Sequence, residues 1–119
     1  MKPITNIKDF LERFDSFKDA EFRSVEVLSA TSMKIVFATQ DRARAFDWLC
    51  IELEFTGVSD ARLLDAAKLA HIDMSDGITL IKEGDSIGFS ISNYSNLSSL
   101  QDSISYIIAA NIKYNEAPF

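Results

Sequence analysis

Residues 47–57 read DWLCIELEFTG, and this stretch decides the fold. The apolar side chains Leu49, Ile51, Leu53 and Phe55 fall on every second position. Because successive side chains of a β-strand point to opposite faces, this spacing predicts a strand with one apolar face. The opposite face carries Trp48, Cys50, Glu52, Glu54 and Thr56. Gly57 is the expected end of the strand.

The same period of two recurs on both sides of this strand. Residues 25–27 and 33–37 alternate in polarity, and the short connection at residues 30–32 predicts a hairpin between them. Residues 78–81 and 87–91 form a second predicted hairpin around Gly84. Apolar residues at every second position from Ile104 to Tyr114 predict one long closing strand.

Helical periodicity occurs near the N-terminus. Ile7, Phe10, Leu11, Phe14 and Phe17 lie on one face of a predicted helix over residues 6–17. Asn6 is the expected N-cap. A second short helix is predicted over Ser59 to Ile72, with a strand from Lys68 to Met74 as the alternative.

These elements predict a single α+β domain over residues 1–119. The two prolines lie at positions 3 and 118 and the four glycines are scattered, so no linker divides the chain. Because hairpins connect the strands and helical crossovers are missing, we expect a mainly antiparallel sheet of about six strands. The N-terminal helix, and the second short helix where it forms, would pack on this sheet.

Composition restricts the classes of function. The 119 residues contain 18 acidic and 12 basic side chains, a net charge of −6, which disfavours nucleic-acid binding. No apolar run approaches the ~20 residues that span a bilayer, so no membrane partner is expected. The first residues lack an apolar signal-peptide core, and Cys50 has no partner for a disulfide. We therefore predict a cytoplasmic protein. Residues 47–119 carry 11 acids and 4 bases, so the acidity is concentrated there.

Candidate catalytic and metal sites are weak. Cys50 and His71 are the sole Cys and His, and neither lies in a nucleophile motif. His71, Asp73 and Asp76 approach the spacing of a calcium loop, but Ile72 and Met74 occupy positions that need oxygen ligands. Glu52 and Glu54 would lie roughly 6.5 to 7 Å apart on one solvated strand face, where their environments would not differ as acid–base catalysis requires. We predict no enzyme, no metal and no cofactor.

Trp48 is the most informative remaining residue. It shares its predicted face with Glu52 and Glu54, and an exposed Trp beside carboxylates is typical of an interface anchor with an acidic rim. The acidic turn at Asp73 and Asp76 extends this candidate partner-binding set. The alternative is that a helix covers this end of the sheet and buries the ring.

Three features resemble a known group of proteins: Phe17-Lys18-Asp19-Ala20 after the first helix, the strand end Leu53-Glu54-Phe55-Thr56-Gly57-Val58, and the closing Ile- and Tyr-rich strand. In this order they resemble small bacterial immunity proteins of polymorphic and contact-dependent toxin systems. Lys18 stands where one such group commonly has His. The resemblance implies a cytoplasmic protein without catalytic residues that binds and neutralises a cognate toxin.

An acidic inhibitor suits a basic toxin domain, because complementary charge raises the association rate. Two other functions remain open. One is a small-ligand-binding or hydrolytic domain with a pocket between the sheet and the N-terminal helix, near Trp48, Tyr106 and His71. The other is a scaffold protein that forms homo-oligomers through an exposed strand edge.

Overall fold

A computed structural model describes the backbone of residues 1–119 and every side chain except that of Ala66. Over these residues the chain is α+β, with nine strands in two antiparallel sheets and two short α-helices. The predicted class and the N-terminal helix are confirmed. The expectation of one sheet of about six strands is corrected, because the strands divide between two sheets.

The larger sheet has five strands, which are β1 (Lys2–Pro3), β2 (Glu21–Ser29), β3 (Ser32–Asp41), β4 (Asp47–Thr56) and β9 (Asn111–Pro118). Their spatial order is β1-β9-β4-β3-β2, so β4 lies at the centre. The smaller sheet contains β5 (Asp60–Arg62), β6 (Ile78–Glu83), β7 (Ser86–Ile91) and β8 (Tyr106–Ala109). Its spatial order is β5-β8-β7-β6. Both predicted hairpins form, as β2–β3 and β6–β7.

The core lies between the two sheets. Ile51, Leu53 and Phe55 of β4 are fully buried, as the alternation predicts. The ring of Phe89 in β7 lies 5.5 Å from the ring of Phe55 and 6.2 Å from that of Phe37 in β3. The apolar face of β4 therefore packs against the smaller sheet, and the face that carries Trp48 points away from this core.

The N-terminal helix, α1, spans Ile7–Arg13 and packs on the same apolar face. Asn6 caps it by accepting a hydrogen bond from the Asp9 N–H at 3.0 Å. The helix is shorter than predicted, because a 3₁₀ turn over Asp15–Phe17 with left-handed backbone angles follows it. This turn lets the fully buried Phe17 reach Phe37, with 5.4 Å between the ring centres.

Residues 59–72 do not form the predicted helix, nor the alternative strand over residues 68–74. Residues Asp60–Arg62 form β5, and a 3₁₀ turn spans Ala66–His71. The Ser59 N–H donates to the Ile108 carbonyl at 2.9 Å, so pairing with β8 prevails over the helical propensity of the alanines. A short helix, α2 (Leu97–Leu100), instead packs over Gly88, where a Cβ would lie 2.3 Å from Leu97 Cδ2.

The predicted closing strand is two strands that belong to different sheets. β8 ends at Ala109, and β9 begins at Asn111. Between them, the Ala110 N–H donates to the carbonyls of Thr56 and Gly57 at 3.2 and 3.1 Å. The core-facing position changes across this break. Ile107 and Ala109 are buried in β8, whereas Ile112 is buried in β9. One period of two therefore cannot describe both strands.

Candidate functional site

The outer face of the larger sheet carries Trp48 at the beginning of β4. The Trp48 side chain is 42% exposed, so the alternative in which a helix buries its ring is wrong. Its ring centre lies 5.6 Å from that of Phe119, which is 59% exposed. Two large aromatic side chains thus lie side by side at one end of an uncovered sheet face.

Phe46 adds a third exposed ring, at 58%. Ala45 and Phe46 both have left-handed φ angles, 55° and 65°. The Phe46 N–H donates to the Asp41 carbonyl at 2.8 Å, and its carbonyl accepts from the Gln40 side chain at 3.2 Å. These bonds fix an unfavourable backbone that turns the ring outward. We refer to Phe46, Trp48 and Phe119 as the aromatic cluster.

A recess of about 180 Å³ lies on one side of Trp48. Its lining includes the aromatic residues Phe46 and Trp48 and the charged residues Asp15, Lys18, Asp19 and Arg42. Six of the seven non-glycine residues with left-handed φ in the described chain fall in the two segments beside this recess, residues 15–19 and 45–46. For residues other than Gly, Asn and Asp, such an angle costs about 1–2 kcal/mol relative to ordinary backbone. Such strain concentrates at functional sites in folded proteins.

The acidic turn at Asp73 and Asp76 lies next to this recess. The Asp19 N–H donates to the Met74 carbonyl at 2.8 Å, which joins residues 15–19 to residues 73–76. Hydrogen bonds from the hydroxyl and the N–H of Ser75 lower the pKa of Asp73. We call residues 15–19 and 73–76 the acidic loops. The structure therefore brings the predicted residues Trp48, Asp73 and Asp76 to one end of the molecule.

Glu52 and Glu54 lie elsewhere on the same face. Glu54 is about 20 Å along the strand from Trp48 and pairs in register with Lys34 of β3 and Lys113 of β9. Glu52 lies between Val36 and Asn115, and its Oε2 atom is buried without a hydrogen-bond partner among the described residues. The predicted partner-binding set thus divides into two groups, of which only one includes aromatic residues.

An ionic network lies behind the aromatic cluster. Asp41 is fully buried and accepts hydrogen bonds from Arg13 Nε at 2.9 Å and Nη2 at 2.6 Å. Glu116 contacts Arg13 at 2.6 Å and Arg44 at 2.9 Å. The hydrogen bonds from Arg13 lower the pKa of Asp41, and those to Asp41 raise the pKa of Arg13. The network ties the end of α1 to β3 and β9.

Sequence reasoning missed this network because its members are far apart in the chain. Arg13 and Asp41 are 28 positions apart, and Arg44 and Glu116 are 72 positions apart. Phe119 was missed for the same reason, because only the fold brings it to Trp48. Phe46 is two positions before Trp48, but it lies in no recognisable pattern, and its exposure depends on the left-handed backbone of residues 45–46.

The weak catalytic and metal candidates do not come together. Cys50 is buried on β4 with Arg23 Nη1 3.9 Å from its Sγ atom, whereas His71 is exposed in a 3₁₀ turn. No group of three or more His, Cys, Asp or Glu residues within the described chain is arranged to hold a metal ion. Tyr106 belongs to the smaller sheet, and its hydroxyl donates to Asp60 at 2.9 Å, away from Trp48 in the larger sheet.

Among the residues described, no helix has the length and apolar character needed to cross a membrane. No protein-family model, no curated protein and no solved structure matches the chain. The aromatic cluster and the acidic loops therefore carry the argument about function.

Proposed function

We propose that this is a non-enzymatic protein-binding domain that docks its partner on the aromatic cluster. In its most specific form it is an immunity-type protein that binds a cognate bacterial toxin and neutralises it. The observation that carries this proposal is the group of three exposed rings, of which Phe46 is held outward by a strained turn.

Binding energetics favour this surface over the rest of the sheet face. Interface energy is concentrated in a few residues, and Trp is among the most enriched of them. Large apolar rings exposed to water gain free energy when a partner covers them, at about 25 cal/mol per Å² of buried apolar area. Around Glu54 the neighbouring strands instead place Lys34 and Lys113 in register with it, and no exposed aromatic ring is among these residues.

The acidic loops indicate the charge of the partner. Asp15, Asp19, Asp73 and Asp76 form no ion pair within the described chain, and Lys18 is the one base among them. Carboxylates at the edge of an interface steer a basic partner and raise its association rate. This pattern fits a basic toxin domain. The resemblance to immunity proteins supports the same function.

The decisive experiment is co-expression with the product of the neighbouring gene. We expect that product to be toxic alone and harmless together with this protein. Trp48→Ala should weaken binding at least tenfold while the variant keeps its circular dichroism spectrum. Ile104→Ala is the control, because Ile104 is an exposed apolar residue, at 58% against 42% for Trp48, that lies outside the cluster. A harmless gene product, or equal effects of the two substitutions, would contradict the proposal.

The charge of the partner can be tested separately. Asp19→Asn combined with Asp76→Asn should slow association and reduce its dependence on salt, with little effect on dissociation. Glu54→Gln is the control, since this carboxylate lies outside the acidic loops and about 20 Å along the strand from Trp48. A partner that associates equally fast with both variants is not steered by the acidic loops.

The small-ligand alternative has one supporting observation. A cleft of about 270 Å³ lies between α1, β1 and β9, with Asp9, Arg13 and Tyr114 in its lining. The sequence predicted a pocket near Trp48, Tyr106 and His71, and none of these three residues lines this cleft. A thermal-shift screen of small metabolites tests it. A ligand that raises Tm in the parent protein but not in Tyr114→Ala would favour this second function.

A further inference from the structure

Trp48 also borders a concavity separate from the recess that it shares with Phe46. It is a cleft of about 390 Å³ between the beginning of β4 and the end of β9. Trp48, Phe119 and Pro118 supply its apolar walls, and Asp47, Arg44 and Glu116 supply its charges. The cleft is large enough for one long side chain of a docked partner, and its charges decide which kind.

Two of the three charges are already compensated. Arg44 donates to Glu116 Oε2 at 2.9 Å and lies 3.6 Å from Asp41 Oδ2. The other oxygen of Glu116 contacts Arg13 at 2.6 Å. Asp47 is exposed and forms no ion pair with any described residue. The free charge of the cleft is therefore one carboxylate, adjacent in sequence to an exposed indole.

The protein itself provides an example of the chemistry that suits these rings. The guanidinium of Arg23 lies 4.6 Å from the ring centre of Phe119. Glu21 holds that guanidinium through contacts of 2.9 and 3.2 Å. One arginine thus already stacks on an aromatic ring and pairs with a carboxylate at this end of the sheet. Trp48 and Asp47 both line the cleft, and among the described residues no arginine stacks on Trp48 or pairs with Asp47, since Arg44 is held by Glu116.

We propose that the cleft binds an arginine side chain of the partner, with its guanidinium over the Trp48 ring and paired with Asp47. This inference rests on the proposed protein-binding function and specifies the chemistry that the partner presents. Trp is the strongest aromatic partner for a cation, and the planar guanidinium stacks and bonds a carboxylate at the same time. Complementary charge thus selects a basic segment rather than a second copy of this acidic chain.

The test uses the full chain and a short probe, acetyl-Gly-Arg-Gly-amide. The control probe replaces arginine with citrulline, which has nearly the same shape but no charge. Binding is followed by NMR at the Trp48 indole N–H and by fluorescence, since Trp48 is the sole Trp of the chain. We expect saturable changes with a millimolar dissociation constant for the arginine probe, and at least tenfold weaker binding of the citrulline probe.

Two variants locate the site. Asp47→Asn should weaken the arginine probe at least fivefold, because it removes the free carboxylate. Asp85→Asn should leave it unchanged, because Asp85 is exposed in the β6–β7 turn. Equal binding of the two probes, no saturable change, or equal effects of the two variants would overturn the inference.

The probe experiment contains no toxin, so the two proposals can fail independently. If the arginine probe fails while Trp48→Ala still abolishes toxin neutralisation, the docking surface stands and the arginine inference is wrong. If the probe binds as expected and the neighbouring gene product is harmless, the cleft is correctly assigned and the toxin function is wrong.

Discussion

Replacing Arg13 with Met tests how much the ionic network stabilises this fold. Asp41 is 0% exposed, and it accepts two hydrogen bonds from Arg13 and one from the Ala43 N–H at 2.9 Å. Met keeps an unbranched apolar side chain at this position but removes the charge and the contact of the guanidinium with the Phe14 ring, 4.7 Å from its centre. The substitution leaves a buried carboxylate whose nearest remaining cation is Arg44, at 3.6 Å.

The magnitude follows from this geometry. Breaking a buried ion pair on one side costs about 3–5 kcal/mol. The lower end of this range applies, because Arg44 remains near Asp41 and the Arg13 side chain is 25% exposed. We therefore expect Arg13→Met to lower the free energy of unfolding by about 3 kcal/mol. Asp41→Asn removes the charge but keeps the shape, and Arg13 retains Glu116, so about 1.5 kcal/mol is expected. In the double variant, Arg13→Met should lower the free energy of unfolding by only about 1 kcal/mol beyond the loss caused by Asp41→Asn alone. The coupling energy between the two residues is then about 2 kcal/mol.

Urea unfolding at pH 7, followed by circular dichroism, measures these free energies as shifts of the midpoint at constant m-value. Lys34→Met is the control. Lys34 pairs with the exposed Glu26 at 3.5 Å, and such surface pairs contribute less than about 1 kcal/mol. The reasoning is refuted if Arg13→Met costs no more than Asp41→Asn, or if the two substitutions are additive within about 0.5 kcal/mol.

Three further predictions follow from the charges and the backbone. Because Arg13 lowers the pKa of folded Asp41, this stabilisation is complete above the ordinary carboxyl pKa of about 3.9 and is lost as the pH falls through the lower folded value. Asp41→Asn should therefore show a shallower loss of stability below pH ~4 in urea titrations at several pH values. Gly77→Ala should cost about 3 kcal/mol or more, because its Cβ would clash with the Ser16 carbonyl at a φ of +69°, whereas Gly84→Ala, at a φ of +59° with open space around it, should cost about 1 kcal/mol. Thermal melts of both variants compare them, and equal losses would contradict the clash. Ala45→Gly should raise the free energy of unfolding by about 0.5–1 kcal/mol, since relief of the left-handed strain exceeds the added chain entropy; a destabilised variant would show that the turn is unstrained.

Local patterns predicted the centre of the fold and failed where tertiary contacts decide. The alternation in β4 sufficed because one of its faces is packed in the core, whereas the other is exposed or half-buried except at Cys50. Residues 106–110 are apolar at nearly every position, since β8 is covered on both faces. Where neighbouring positions are all apolar, a period of two does not show which of them face the core. The sequence pattern therefore did not reveal the change of sheet at Ala110.

The candidate site was half predictable. Trp48 stood out because a large aromatic residue interrupted a polar face, and the structure leaves it exposed. Glu52 and Glu54 shared that face, but sequence alternation gives the face and not the position along it. Asp73 and Asp76 approach Trp48 only through the contact between Asp19 and Met74, which joins segments more than fifty residues apart. No local signal encodes that contact.

The position of β9 between β1 and β4 has a consequence for the order of folding. Thr56 of β4 pairs with Asn111 of β9, 55 positions away, whereas the β2–β3 hairpin closes between Ser29 and Ser32. Loop closure costs about 0.6 kcal/mol more for each doubling of length, so the β4–β9 pairing carries about 2.5 kcal/mol of additional entropy. We expect the hairpins to form first and β9 to join last. Until it does, one edge of β4 is unpaired and can accept β9 from another molecule, so refolding at high concentration should yield domain-swapped dimers.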